Sequence, residues 1–279
     1  MPEPTAPDQR PASRRKPKPA VRSAADRLLH VLGAFDQHNT ALSLSDISRR
    51  AELPLATAHR LVGALARWGA LERDERGDYH IGLRLWELAA LAPRGLGMRQ
   101  AAMPFLEDLY EATHENVHLA VRDGLEVVYI ERISARGAVG VRSRVGARWP
   151  LHATGVGLVL LAHGSAQLQE QVCAGPLASF TPHTVTEPAR LRRTLAEVRR
   201  SGCAVSDRQI TEDALSVAAP VRGARGTVVA SVSVVVHAQD APTRALIPAV
   251  RVAARGVSRS LGWRPCQAPV TDSGGTHGV

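Results

Sequence analysis

Residues 43–82 read SLSDISRRAELPLATAHRLVGALARWGALERDERGDYHIG, and the punctuation of this stretch decides the fold of the first third of the chain. Ser43 with Asp46 three residues later is a capping-box spacing, which opens a short helix with Leu44, Ile47 and Ala51 turned inward. Pro54 disfavours helix at Leu53 and starts one well after itself, so a turn and a second helix from Leu55 to about Trp68 follow. Ala58, Leu61, Val62, Leu65 and Trp68 recur at helical spacing and are its expected buried side. Two helices across a short turn make a helix-turn-helix. Beyond it, residues 71–73 and 78–81, around a turn ending in Gly77, spell a two-stranded ribbon. A helix-turn-helix followed at once by a hairpin is a winged helix, a shape that reads DNA or serves as a protein-contact module.

Working outward, the preceding segment AADRLLHVLGAF repeats apolar residues at Ala24, Leu28, Val31, Leu32 and Phe35, one more amphipathic helix behind the N-cap candidate Ser23. Residues 1–19 hold six prolines and almost nothing apolar. Such a stretch cannot offset the entropy of ordering it, so a disordered leader is expected, with Arg14, Arg15, Lys16 and Lys18 available as a basic arm for phosphates. After the ribbon, GLRLWELAALAPRGLGMRQ begins as a helix with Leu83, Trp86, Leu88 and Leu91 prominent and breaks at residues 93–97. Its apolar side is wider than one small domain needs, which points to a dimer contact.

The 279 residues are 44% apolar, enough for one large or two ordinary domains with real cores. No run of eighteen apolar residues occurs and no apolar stretch follows the charged N-terminus, so neither a membrane span nor a secretory signal is expected, and the expected location is the cytoplasm. Cys173, Cys203 and Cys266 are odd in number and far apart, unlike a disulfide framework or a C-x-x-C metal knuckle. The net charge of +9 fits a nucleic-acid partner. Residues 21–83 are neutral overall, however, so the DNA reading rests on pattern and not on total charge.

Enzymatic signals dissolve in context. Residues 114–118 read HENVH, the H-E-x-x-H of zinc hydrolases, which requires both imidazoles on one helix. The helix of PFLEDLYEATHE is expected to end there, with Asn116 as a left-handed cap, and the period then changes from 3.6 to 2 in VHLAV. His114 and His118 therefore belong to different elements. Gly155-Val156-Gly157 lacks the third glycine of a dinucleotide loop, and Gly164-Ser165-Ala166 lacks the frame of a nucleophile elbow. No catalytic residue, metal site or cofactor is expected. From residue 117 onward, strands are expected at 117–122, 126–133, 139–144, 203–206, 214–221 and 227–236. Helices are expected after Gly155, at 188–201 and at 242–261, which gives an α+β domain with a mainly antiparallel sheet.

On these residues the chain resembles the IclR family of bacterial transcriptional regulators, from the first helix to about Leu261. The family's recognition helix opens Leu-Pro-Lys-Ser-Thr-x-x-Arg, where this chain has Leu53-Pro54-Leu55-Ala56-Thr57-Ala58-His59-Arg60. SRVGARWPLHATGVGLVLLA resembles its glycine-rich loop R-x-G-x-x-x-P-L-H-A-T-G-x-G-K, with Leu158 in place of the lysine. The resemblance implies an α+β fold class: an N-terminal winged helix-turn-helix domain (20–82), a linker helix (83–100) and a C-terminal GAF- or profilin-like effector-binding domain (101–263), followed by a disordered tail (264–279). Ala56, Thr57, His59 and Arg60 on the recognition helix, with Arg73 and Arg76 on the wing, are the expected DNA contacts.

For an effector, the resemblance implies the backbone around Gly155 and Val156, Ser206 with Asp207, Ser216, Ser231 and Ser233, and the apolar walls Val141 and Trp149. A helix start at Gly155 aims amides at an anion, or else is satisfied by its own side chains. The buried hydroxyls either face a ligand or satisfy one another. Ser206 stands where the family often has aspartate, so a changed effector preference is expected. The expected protein is a regulator and not an enzyme, a repressor controlled by a small organic acid, with an activator of the same family as the alternative. Its expected partner is a partly palindromic double-stranded operator, bound as a homodimer or dimer of dimers with no membrane involved. The competing classes are a metabolite-binding or hydrolytic enzyme with an accessory winged helix, and a ligand-free architectural DNA binder.

Overall fold

The computed structural model describes residues 23–36, 38–92, 96–134, 137–141, 143–239 and 243–264; the expected leader, Cys266 and the tail beyond Arg264 lie outside the described residues. The chain divides into two compact units, residues 1–90 and 91–279.

In the first unit, α1 (Ala24–Leu32) begins at Ser23, whose side chain accepts from Asp26 N while the Asp26 carboxylate accepts from Ser23 N, a closed capping box. Ser43 Oγ accepts from Asp46 N at 3.2 Å and so opens α2 (Leu44–Arg50). After Pro54, α3 (Leu55–Trp68) runs until Gly69, which takes the left-handed conformation with φ 87°. Val31, Ile47, Leu61, Leu65 and Leu71 bring the three helices and the ribbon into one apolar core. The ribbon strands β2 (Leu71–Arg73) and β3 (Tyr79–Ile81) are joined by a third, β1 (Ala41–Leu42), in the order β1-β3-β2. Two residues carry no period, so β1 could not be read from sequence. Trp68 also departs from expectation: it is 51% exposed, its ring lying 5.7 Å from the Arg84 guanidinium. The unit ends in α4 (Leu83–Ala90), on which Leu83, Trp86 and Leu88 are exposed and no residue is buried.

The second unit is built on a six-stranded antiparallel sheet, ordered β6-β5-β4-β9-β8-β7 among the described residues. Its strands are β4 (Asn116–Asp123), β5 (Glu126–Ile133), β6 (Arg148–Pro150), β7 (Ala204–Asp207), β8 (Ala214–Arg222) and β9 (Val228–His237). Alternation along the central strands separates two faces. Val117, Leu119 and Val121 of β4, Val232 and Val234 of β9 and Val217 of β8 pack on α5 (Leu96–Thr113) and α9 (Thr243–Ser260). Ala120, Tyr129 and Ala218 point the other way, into a second core with α6 (Gly155–Ala162), α7 (Ala166–Ala174) and α8 (Pro188–Ser201). All eight residues of α6 are buried.

Three expectations are corrected here. The helix expected from Pro104 begins eight residues earlier, at Leu96, and carries Pro104 inside it, a helix interior being able to absorb one proline at the loss of one backbone bond. The left-handed residue that ends it is His114 (φ 52°), whereas Asn116 is the first residue of β4, its side chain donating to Val139 O at 2.9 Å. No described residue of 139–144 is in a strand; the partner of β5 is β6, pairing Val127 with Trp149. His114 and His118 thus sit at a helix end and in a strand, and no group of three potential metal ligands occurs among the described residues.

Candidate functional site

The first candidate surface is the outer side of α3. Ala58, Leu61, Val62 and Leu65 fill the core, which leaves Leu55, Ala56, His59, Arg60 and Arg67 exposed along the opposite face, with Thr57 half-buried at its margin. Pro54 has no side chain with which to cap the helix, so the N-terminal turn, with its positive dipole end, is left open to a phosphate. On the wing, Arg76 is exposed in the turn. Arg73 is braced by its own ribbon: its Nε donates to Gly77 O at 3.0 Å and its guanidinium lies 5.6 Å from the centre of the Tyr79 ring.

The second candidate is a cavity of about 60 Å3 between the sheet and the start of α6. Thr154 caps that helix by accepting from Gly157 N at 3.0 Å, and Gly155 stands so close to β8 that a Cβ there would meet Ser216 Oγ at 2.7 Å. Among the described residues, the amides of Gly155 and Val156 find no protein acceptor. Ser206 and Ser216 are cross-strand partners on β7 and β8, and both line the cavity together with Val141, Trp149 and Gly155. The Trp149 ring is held edge-on by Phe180 at 5.3 Å.

Four expected residues lie elsewhere. The Val156 side chain is 1% exposed in the core under α6, so only its amide is available. Alternation turns Asp207 to the face opposite Ser206, where it forms an ion pair with Arg208 at 3.0 Å. Ser233 and Ser231 are fully buried one and two rows away beneath α6, outside the cavity wall, and Ser231 Oγ donates to Ala219 O at 3.1 Å. The body of α6 covers that part of the sheet, which is why these hydroxyls do not reach the opening.

Their places are taken by groups that the sequence reading passed over. His118, one half of the dismissed HENVH, lines the cavity with its Nε2 3.0 Å from Ser143 Oγ and its ring edge-on to Tyr129 at 5.2 Å. Burial, reinforced by the nearby Arg132 charge, holds its imidazole down to about 3, and burial pushes the Tyr129 phenol well above its ordinary range. Both are neutral at any physiological pH. Gln209 and Thr211 complete the rim; Gln209 Oε1 accepts from Val185 N, tying this loop to the segment that precedes α8. The signal for His118 was present: a polar residue at an inward position of a strand between apolar neighbours. Among the described residues the lining therefore carries no formal charge; positive potential reaches it from the start of α6 and from Arg132, which stands behind Ser143 and donates to its carbonyl at 2.8 Å.

Comparison with known proteins follows the same division. Residues 24–75 match the family model described as the IclR helix-turn-helix domain, and residues 92–259 the model for the bacterial transcriptional regulator IclR C-terminal domain. The HTH-type transcriptional regulator XynR of Escherichia coli (strain K12) is 32% identical over 250 residues, 88% of this chain and 99% of the relative. The HTH-type transcriptional repressor AllR of Klebsiella pneumoniae is 29% identical, over 87% of this chain and 91% of its own. Among solved structures, an IclR homolog complexed with 4-hydroxybenzoate from Microbacterium hydrocarbonoxydans superposes with a TM-score of 0.82 at 39% identity, covering 86% of this chain and 99% of that one. Thermotoga maritima IclR superposes with a TM-score of 0.70 at 26% identity, covering 86% and 97%.

Proposed function

Because the chain belongs to the IclR family of bacterial transcriptional regulators, it is a DNA-binding regulator and not an enzyme, and we propose that it is a repressor released from or held on its operator by a small monocarboxylic acid. Ala56, Thr57, His59 and Arg60 on the outer face of α3 read the major groove, with Arg60 the strongest base or phosphate contact, while Arg76, and Arg73 through its backbone-braced guanidinium, follow the flanking phosphates. The exposed Leu83, Trp86 and Leu88 of α4 mediate pairing of two copies, which matches a partly palindromic operator with half-sites about one helical turn apart or a multiple of it. Several relatives are regulators of this type, and the AllR proteins among them are named repressors.

The observation that carries the effector reading is a cavity without formal charge at the open amides of Gly155 and Val156. A helix start supplies about half a positive charge, which suits one carboxylate and disfavours several. Ser206, Ser216 and Thr211 offer hydroxyls for orientation; Val141 and Trp149 offer apolar walls. A volume of about 60 Å3 suits an acid of two or three carbons. A second reading, an aromatic acid, is favoured by the relative solved with 4-hydroxybenzoate, and requires Trp149 and Phe180 to swing outward.

The test is gel-shift binding to DNA from the protein's own upstream region at stated salt, with Arg60→Ala beside it, followed by release with pyruvate and 4-hydroxybenzoate. Specific retardation lost in the variant supports sequence reading. Equal, weak and steeply salt-sensitive binding by both proteins refutes it.

A further inference from the structure

Beyond the far end of α6 from the cavity lies a second opening, a cleft of about 630 Å3, within the size range of small-molecule sites. His163 and Gly164, which follow the last residue of α6, line it together with Ser165, the N-cap of α7. So do Arg122 from the end of β4 and Arg225 from the β8–β9 turn. No carboxylate lines it among the described residues. Arg225 is exposed and makes no hydrogen bond or ion pair with the described residues.

Two more guanidiniums stand near. Arg199 donates to Ala162 O, the last carbonyl of α6, at 3.2 Å, and Arg222 donates to Gly226 O at 2.9 Å. Burial and these two positive charges hold the His163 imidazole below its ordinary value, and its Nε2 is buried with no hydrogen-bond partner among the described residues. An unpaired buried ring nitrogen is uncommon in a native fold and marks a place where a polar group is missing. Positive charge is thus concentrated from four separate elements around one opening, whereas no charged residue lines the cavity at the other end of α6 among the described residues.

We propose that this cleft is a second ligand site, for a small polyanion of the di- or tricarboxylate or phosphate type, and that it is linked to the first cavity through α6. Two guanidiniums in the lining, two behind it and the start of α7 suit several negative charges where the first cavity suits one. The linkage is mechanical. The helix is a rod about 12 Å long whose eight residues are all packed, with Gly155 against Ser216 at one end and His163 in the cleft at the other. Such a rod cannot yield along its length, so a shift at His163 is passed to the amides that face the first cavity. A polyanion in the cleft then biases the same element as an acid in the cavity, which is the requirement for coupling between two sites.

Full-length protein is titrated with citrate, and separately with inorganic phosphate, at ionic strength fixed with sodium chloride, and the unfolding midpoint is read. A saturable rise with at least one anion is expected. In Arg225→Glu, a change in an exposed turn, the midpoint without anion stays at the wild-type value and the half-saturating concentration rises at least tenfold. Arg225→Lys keeps most of the response, and Thr211→Glu, which sets a negative charge on the rim of the first cavity, keeps it. No saturable response to either anion, or equal responses in wild type and Arg225→Glu, overturns the site. A response abolished by Thr211→Glu and kept by Arg225→Glu places the anion in the first cavity and also overturns it, without touching the effector reading. For the linkage, hydrogen exchange of the peptide spanning residues 151–161 is expected to change when the anion binds; protection confined to residues 163–168 and the β8–β9 turn overturns it.

Discussion

Replacing Gly157 by alanine is expected to dislodge α6 and silence the cavity. A Cβ at this position would stand 2.3 Å from Leu151 O and 2.6 Å from Thr154 Oγ1. The first is main chain. The second is the acceptor that caps α6 through Gly157 N, so neither can retreat without loss. Forcing a methyl into such a contact destabilises by about 1–3 kcal/mol, here at the upper end because backbone is struck. Disturbing the Thr154 cap adds about 1 kcal/mol. Alanine in a helix returns up to about 1 kcal/mol relative to glycine, which leaves a net loss of about 2–3 kcal/mol. For a unit of this size each kcal/mol moves the melting point by about 2–4 °C, so a drop of roughly 4–12 °C is expected. Gly97 in α5 is the control: it also lies in a helix, but a Cβ there meets nothing within 4 Å, so Gly97→Ala should raise stability by about 0.5–1 kcal/mol. The assay is thermal unfolding followed by circular dichroism, with effector-induced stabilisation measured on the folded protein at lower temperature. A Gly157→Ala protein as stable as wild type and still responsive would refute the account of α6 as a helix without slack.

Arg60→Ala should weaken operator binding by about 1–3 kcal/mol, roughly five- to 150-fold, with an unchanged melting point, since Arg60 is exposed and takes no part in the core; a gel shift at constant salt checks it. His118 has its folded-state value depressed from 6.5 to about 3, so the unfolded chain takes up the proton first. Its contribution is fully present above pH 6.5 and is lost as pH falls towards 3, at up to about 1.4 kcal/mol per pH unit, and His118→Gln should flatten the denaturation profile across that window. Ser43→Ala removes the acceptor for Asp46 N and should cost about 1 kcal/mol, read as a lower denaturant midpoint. Leu106→Ala empties a fully buried position between α5 and the sheet and should cost about 2–5 kcal/mol in the same assay.

The winged helix was legible because Ser43, Pro54 and Gly77 act over four residues or fewer, and local chemistry of that range survives folding unchanged. The strands of the second unit were legible from their period, but residues 139–144 alternate like a strand and no described residue among them is in one, since Val139 is occupied in accepting from Asn116 and packing on Ala214 and Val235. Pro104 misled for the opposite reason: a local breaking signal was overridden by the packing of Leu106 and Leu109 on one side of a continuous helix. The cavity was half legible. Ser206, Ser216, Gly155, Val141 and Trp149 came from one-to-one likeness to a family pattern. His118, Ser143, Tyr129 and Gln209 meet only through cross-strand register and a loop return, which no local window contains. Ser231 and Ser233 failed because whether a hydroxyl reaches an opening depends on what lies above it, and α6 lies above them.

The alternation along β4, β8 and β9 separates what this domain must conserve from what it can change. Residues 117, 119, 121, 217, 232 and 234 hold the sheet to its helices, while their immediate neighbours 118, 216 and 235 border the opening. Substitutions that retune chemical preference can therefore accumulate at these bordering positions, while 120, 218, 231 and 233 on the same face stay held under α6. A lineage of such proteins can explore new signals by point mutation, whereas a single inserted residue in any of these strands exchanges the two roles and destroys both.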